Sequence, residues 1–204
     1  MICYTIGHST RKLEEFIEII KRYGIDCVMD VRDSPYAKNN YSKAFDREIL
    51  EENVKRSGIN YIYMGKELGS KKYELNLDMA IEDELFKKGI RKIVEGIKRG
   101  HSIVLLCSER NPFNCHRSIL LGYALKSNGV EMEHIIDEDS SKTQMRIEEE
   151  IFITYEPVLK EDFIQLTLQD VLDNDNYDMI SEKELKEKII EEGYRRRFRG
   201  FGPV

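Results

Sequence analysis

Two thiols, a carboxylate, an imidazole and a guanidinium fall within eleven residues, at Cys107, Cys115, Glu109, His116 and Arg117. These side-chain types support nucleophilic attack by a thiolate, proton transfer, and the binding of an anion or a metal ion. The spacing favours thiolate and acid–base chemistry. Cys-x7-Cys-His, even joined by His8, is not a standard zinc signature, so neither metal nor cofactor is expected. The sequence contains no G-x-G-x-x-G and no G-x-x-x-x-G-K-[ST], which leaves out the dinucleotide and nucleoside-triphosphate cradles.

The elements that position these residues can be read from the stretch Ser102 to Asn128. Ile103, Val104, Leu105 and Leu106 form an apolar run closed by Cys107, which reads as a buried strand. Cys115 to Ser127 reads as a helix with Asn114 as its N-cap. Cys115, His116 and Arg117 then occupy a first turn, where free N–H groups and the helix dipole attract an anion and lower a thiol pKa. Arg117 is expected to grip a phosphate or carboxylate, and Glu109 to act as a base or orient an imidazole. Taken singly, these residues have plainer roles, with Cys107 in the core, Glu109 paired to Arg117 and His116 at the surface. Clustered directly after a buried strand, they mark a site. Cys115, assisted by His8 or His116, is the candidate thiolate, and Cys107 is expected to be a wall of the site.

Strands and helices alternate along the preceding chain. Residues 2–6 read as a strand, ending at Gly7-His8-Ser9-Thr10, and Ser9 or Thr10 is expected to cap a helix that Gly24 stops. Ile25 to Val31 reads as a second strand, followed by the loop DSPYAKNNYSKA. A helix from Asp46 to Ser57, a strand from Ile59 to Met64 and a loop from Gly65 to Asn76 come next. The spacing then predicts a long helix from Leu77 to Arg99, interrupted at Gly89, and a strand from Val130 to Ile136 after the central stretch. This alternation predicts an α/β fold, three-layer α/β/α with a mostly parallel sheet, plus a small C-terminal appendage. Parallel strands bring their carboxyl ends to one edge, where ligands bind. His8 and Ser9 after the first strand, and Asp30 and Arg32 after the second, therefore join the cluster. The expected catalytic residues are His8, Glu109, Cys115 and His116, and the expected substrate-binding residues are Ser9, Asp30, Arg32 and Arg117.

The chain has 204 residues, 41% hydrophobic and 34% charged, and a formal charge of −6 that is unevenly spread. Residues 151–192 carry −8 and residues 193–204 carry +4, leaving −2 for residues 1–150. We divide the chain into an α/β domain over 1–150 and an acidic, partly helical extension over 151–204 with a basic tip. Lys142 to Ile153 reads as an amphipathic helix, 156–178 has no clear pattern, and Ser181-x-x-Glu184 reads as a capping box opening a helix to Glu192. The tip GYRRRFRGFGPV interleaves arginines with aromatics as nucleic-acid binders do, but the acidic residues before it weaken that reading; a docked or disordered terminus is simpler. No apolar run approaches the roughly 20 residues of a membrane span. With no secretory leader pattern and four cysteines read as free thiols, the expected location is cytoplasmic, and the oligomeric state is open.

Thr-Ile-Gly-His-Ser at 5–9, Asp-Val-Arg-x-x-Pro at 30–35, Tyr63 with Leu68-Gly69, Leu-Leu-Cys-x-Glu at 105–109 and Cys-His-Arg at 115–117 occur in that order. This combination resembles the widespread microbial family catalogued as domain of unknown function 488, over about residues 1–150. The resemblance implies an α/β fold and no firmly established general activity. Carried over by position, it implies His8, Ser9, Asp30, Arg32, Glu109, Cys115, His116 and Arg117 as hallmark residues. Ser70 stands where the family often has a second glycine, and Ala37 and Lys38 where it commonly has serine then arginine. The resulting expectation is a hydrolase or group-transfer enzyme acting on a small anionic, phosphate-bearing or nucleotide-like substrate. The alternatives are a non-catalytic nucleic-acid or protein-binding module, and thiol-dependent sulfur transfer of the rhodanese-like kind.

Overall fold

Successive side chains of a strand point to opposite faces of its sheet, and here that alternation divides the core in two. Ile103 and Leu105 lie in one apolar cluster, Val104 and Leu106 in the other. The computed structural model describes residues 1–37, 40–73, 76–173 and 181–201. The strands are β1 (Ile2–Gly7), β2 (Cys27–Asp30), β3 (Asn60–Tyr63), β4 (Ile103–Cys107), β5 (Glu131–Ile135) and β6 (Ser141–Thr143). They form one sheet in the order β3-β2-β4-β1-β5-β6, parallel except for β6.

Helices α1 (Leu13–Arg22) and α2 (Arg47–Arg56) bury Phe16, Ile20, Leu50 and Val54 against one face. After α3 (Gly65–Leu68), α4 (Leu77–Glu82), α5 (Glu84–Lys98) and α6 (His116–Ser127) bury Leu77, Phe86, Ile93, Ile119 and Leu120 against the other. The fold is thus the expected three-layer α/β/α arrangement. β1 and β2 lead into helices on the first face, while β4 leads into α6 on the second. The carboxyl end of β4, between β1 and β2, is therefore a topological switch point, where crevices open in such sheets.

Several boundaries differ from the expected ones. Helix α1 begins only after Lys12, with no side-chain cap. Ser9 instead has φ 45° and donates its amide to the Ser108 carbonyl at 2.9 Å, continuing the path of β1 before the chain turns. The helix expected over 77–99 breaks at Asp83 rather than at Gly89. Asp83 is extended and its carboxylate accepts from the Phe86 amide at 2.7 Å, which caps α5. Gly89 continues the helix and makes room for Leu68, whose Cδ2 would lie 2.6 Å from an added Cβ. The stretch read as a loop over 65–76 contains α3 and a 3-10 turn at Lys71–Tyr73. Asn114 ends a 3-10 turn (Pro112–Asn114), and Cys115 is the N-cap of α6.

Helix α6 is buried from His116 to Leu125 on every side but that of the half-buried Tyr123, and apolar around its middle, which requires a further layer over it. α7 (Gln144–Asp173) and α8 (Glu182–Arg199) provide that layer, with Ile151, Tyr194 and Phe198 in the same core. The Ser181–Glu184 capping box forms as expected, but α8 runs past Glu192 because Tyr194 and Phe198 are buried. Three of the four tip arginines are engaged within the chain. Arg195 pairs with Asp78 and Glu191, Arg196 with Glu192, and Arg197 stacks on the Phe113 ring and donates to the Phe113 carbonyl and Asn114. Residues 174–180 of the acidic stretch and 202–204 of the tip lie outside the described residues. Among the described residues no helix is long and apolar enough to cross a membrane.

A buried polar chain ties these helices to the sheet. The Thr5 hydroxyl meets His134 Nδ1 at 2.7 Å, and His134 Nε2 meets Gln144 Oε1 at 2.8 Å. The Gln144 amide then donates to the Ser118 carbonyl at 2.9 Å and to the Tyr194 hydroxyl at 2.7 Å. Burial lowers the His134 pKa to about 3, and burial with the Arg32 charge lowers that of His8 to about 4. Both are neutral in the fold at neutral pH. Below the ordinary imidazole pKa the unfolded chain takes up two protons that the native state refuses, so stability falls with pH from about 6.5 downward. The expected loss is about 1.4 kcal/mol per pH unit for each histidine. Urea unfolding midpoints should decline between pH 7 and pH 5. A flat profile means that these imidazoles are protonated in the folded protein.

A candidate thiolate site at the sheet edge

Three strand ends converge on Cys107. The amide of His8 donates to the Cys107 carbonyl at 2.9 Å, and that of Val31 to the Leu106 carbonyl at 3.1 Å. These bonds extend the parallel ladders past β1 and β2 and bring His8 and Arg32 to either side of β4. Above them lies a cavity of about 350 Å³, lined by His8, Arg32, Cys107, Ser108 and His116, and by Asp33, Ser34, Tyr36, Ala37 and Lys71.

Arg32 is aimed by Asp30. The fully buried Asp30 carboxylate accepts from Arg32 Nε at 2.8 Å and from its Nη2 at 2.6 Å, and also from the Tyr61 hydroxyl at 2.6 Å. A two-pronged pair of this kind fixes the guanidinium plane. Arg32 Nη1 is left to meet His8 Nε2 at 3.3 Å. His8 Nδ1 lies 3.1 Å from the Ser9 carbonyl, which assigns its proton to Nδ1 and makes Nε2 the acceptor. Its ring stacks on Phe45 at 4.4 Å.

The two thiols form a pair. Cys115 Sγ donates to Cys107 Sγ at 3.0 Å, and Cys107 Sγ lies 3.6 Å from His116 Nδ1. The Cys115 hydrogen bond, and then the charges of His116 and Arg117, hold the Cys107 pKa well below the ordinary thiol range in spite of burial. Burial and the neighbouring Cys107 push Cys115 the other way. Burial disfavours a charged His116, but the Cys107 charge and hydrogen bond, followed by Asp33, outweigh it and raise its pKa. These shifts favour a Cys107 thiolate beside a His116 imidazolium, with Cys115 as the supporting thiol. His116 Nε2 is buried with no hydrogen-bond partner among the described residues.

The expected site residues therefore separate by position. His8, Arg32 and His116 line the cavity, and Cys115 sits directly behind Cys107. Asp30 lies beneath Arg32, away from the cavity. Arg117 is fully buried and donates to the carbonyls of Glu109 and, at 2.8 Å, Arg110, so it pins the loop after β4 and is not among the residues that line the cavity. Glu109 is exposed and accepts from the Asn111 amide at 2.9 Å, so it neither reaches an imidazole nor pairs its carboxylate with Arg117. Ser9 is outside the lining and serves the turn after β1.

Sequence reasoning passed over Asp33 and Lys71. The Asp33 carboxylate accepts from the amides of Ser70 and Lys71 at 3.2 and 3.1 Å. Gly69 permits that approach, since a Cβ there would lie 2.3 Å from Asp33 Oδ1. The glycine of the Leu68-Gly69 pair was the available signal. Lys38, at a departure from the family pattern, lies outside the described residues.

Cys107, Cys115 and His116 each offer one ligand atom, all within 4.8 Å of one another. Tetrahedral zinc holds two sulfurs about 3.8 Å apart, wider than the 3.0 Å found here. A ligating imidazole also normally donates its second nitrogen to a partner, and His116 Nε2 has none among the described residues. Both features fit a dithiol–imidazole cluster better than a metal centre.

Fold and site together define a parallel α/β protein with a thiol–imidazole centre at a topological switch point. The chain belongs to the family described as Domain of unknown function DUF488, whose sequence model matches residues 12–124. That span holds every cavity-lining residue named above except His8. No curated protein and no solved structure matches the chain.

Proposed function

We propose that the protein is an enzyme of hydrolysis or group transfer in which the Cys107 thiolate attacks a small anionic, phosphate-bearing substrate. The observation that carries this reading is Cys107 Sγ held between the Cys115 thiol at 3.0 Å and His116 Nδ1 at 3.6 Å on a cavity shared with Arg32. In the first step a sulfur–phosphorus bond forms as the bond from phosphorus to the leaving oxygen breaks. The His116 imidazolium gives a proton to that oxygen. Water, or an acceptor alcohol, then attacks phosphorus, loses a proton to neutral His116 and regenerates the thiolate. Arg32 Nη1 and the Lys71 ammonium supply positive charge for the substrate oxygens. The engagement of Arg195, Arg196 and Arg197 within the chain favours this reading over a nucleic-acid-binding tip.

Inorganic phosphate and nucleoside monophosphates are the probes for a binding titration. Saturable binding should weaken about tenfold in Lys71→Ala and in Arg32→Lys, which keeps the charge but loses the fork. Arg22→Ala, at an exposed pair with Asp139, should bind as the unaltered protein does. Absence of saturable binding to any of these probes, or equal binding by all variants, would falsify the anionic-substrate reading. The adjacent second thiol favours one further reading, sulfur transfer, in which Cys107 takes the outer sulfur of a persulfide and releases the donor as a thiol. Incubation with a persulfide donor should then add the mass of one sulfur at Cys107.

A further inference from the structure

The proposed catalytic step uses Cys107 and leaves a second buried thiol unexplained. Cys115 Sγ is 3.0 Å from Cys107 Sγ, inside ordinary sulfur contact. The two backbones are held by separate devices. Cys107 ends β4, with its carbonyl bonded to His8, and Cys115 is the N-cap of α6, with its carbonyl bonded to the Ser118 amide at 3.2 Å. Only Cys107 of the two lines the cavity; Cys115 is enclosed behind it. A disulfide needs the sulfurs to close to about 2.05 Å, an approach of about 1 Å from where they stand. This layout is that of an attacking thiol reached from solvent and a resolving thiol reached only from the first.

We propose that Cys107 and Cys115 form a reversible redox pair, in which a hydroperoxide entering the cavity oxidises Cys107 and Cys115 resolves it to a disulfide. The inference rests on the same Cys107 thiolate as the proposed function. The thiolate attacks the terminal peroxide oxygen, forming an S–O bond as the O–O bond breaks, and the departing hydroxide or alkoxide takes a proton from the His116 imidazolium to leave as water or an alcohol. The Cys115 thiol then attacks the Cys107 sulfenic sulfur. An S–S bond forms, the S–O bond breaks, and the hydroxyl leaves as water with the Cys115 proton. One hydroperoxide is reduced by two electrons, and the two thiols lose those electrons. A small dithiol reverses the bond, restores both cysteines and reopens the site. Cys3 and Cys27 take no part, because burial holds both in the thiol form.

The test treats the full-length protein with hydrogen peroxide and reads intact mass and tryptic peptides. The expected result is a loss of the mass of two hydrogens, reversed by dithiothreitol. Cleavage after Arg110 separates the two cysteines, so a linked pair of peptides reports the bond directly. Cys115→Ser should stop at a Cys107 sulfenic acid that dimedone traps, and then gain further oxygen. Cys107→Ser should keep its full thiol mass under the same exposure. Progressive oxygen addition at Cys107 of the unaltered protein with no linked peptides overturns the pair. So does bound zinc that shields both thiols from peroxide. Phosphate binding without disulfide formation sinks this inference alone. Disulfide formation without phosphate binding upholds it and sinks only the anionic-substrate reading.

Discussion

Alkylation of Cys107 by iodoacetamide is expected to titrate with a midpoint well below that of an ordinary thiol. Three groups act on this sulfur: the Cys115 thiol that donates to it, the His116 imidazolium and the more distant Arg117. All three favour the thiolate, and burial opposes them. An ordinary cysteine is only a few per cent thiolate at neutral pH, whereas Cys107 should be mostly ionised there. Cys115→Ala removes the donated hydrogen bond and His116→Ala removes the positive charge. Each should move the midpoint upward, and at any pH well below both midpoints a shift of one unit should slow alkylation about tenfold. The two effects should not add, because the same thiolate–imidazolium pair is being dismantled. Peptide mapping identifies the site, and Cys3 and Cys27 serve as unreactive references. Midpoints that are the same in all three proteins would remove the thiolate assignment, and with it the nucleophilic step.

Gly7→Ala is expected to be the most destabilising single-methyl substitution near the site, at about 3–5 kcal/mol. A Cβ at Gly7 would lie 1.8 Å from the Glu109 carbonyl oxygen and 2.7 Å from Arg117 Nη1. Neither neighbour can yield cheaply. Gly7 is registered against Cys107 in the ladder, and the Glu109 carbonyl is held by the Arg117 guanidinium. Overpacking costs about 1–3 kcal/mol, and displacing a buried guanidinium from its acceptors adds a comparable amount. Gly24→Ala is the contrasting substitution. Gly24 has φ +67° and nothing within 4 Å of an added Cβ, so only backbone strain of about 1 kcal/mol applies. Urea unfolding of both variants separates crowding from strain. Equal costs would mean that the loop after β4 moves aside freely, and the rigid placement of Cys107 would no longer follow.

The two variants also show how far the sequence could be read. The glycine of Thr-Ile-Gly-His-Ser is visible as part of a motif, but its reason is not. It makes space for the Glu109 carbonyl, which belongs to the loop after β4, and no local pattern encodes that. Gly89 is the opposite case. As a glycine inside a helical pattern it suggests a break, yet it packs against Leu68 while Asp83 makes the break. The apolar circumference of α6 is also legible, at Ile119 to Leu125, and it implies a covering layer. Helices α7, which starts at Gln144, and α8 supply it.

What the sequence determined by itself was the alternation of strands and helices, the parallel sheet, and the gathering of polar residues at strand ends. These follow from periodicity and from capping chemistry, which act over a few residues. It also pointed to Cys107, Cys115, His8, Arg32 and His116 as neighbours of one edge. Only the tertiary structure decided which of them meet. The insertion of β4 between β1 and β2 sets His8 and Arg32 on either side of Cys107, expected as a wall, and the packing of α6 puts His116 and Cys115 against its sulfur. The same packing turns Asp30 toward Arg32 and Arg117 toward backbone carbonyls. A thiol is pushed toward the thiolate by charges within a few ångströms of it, and here those charges, His116 and Arg117, come from the packing of α6 behind β4.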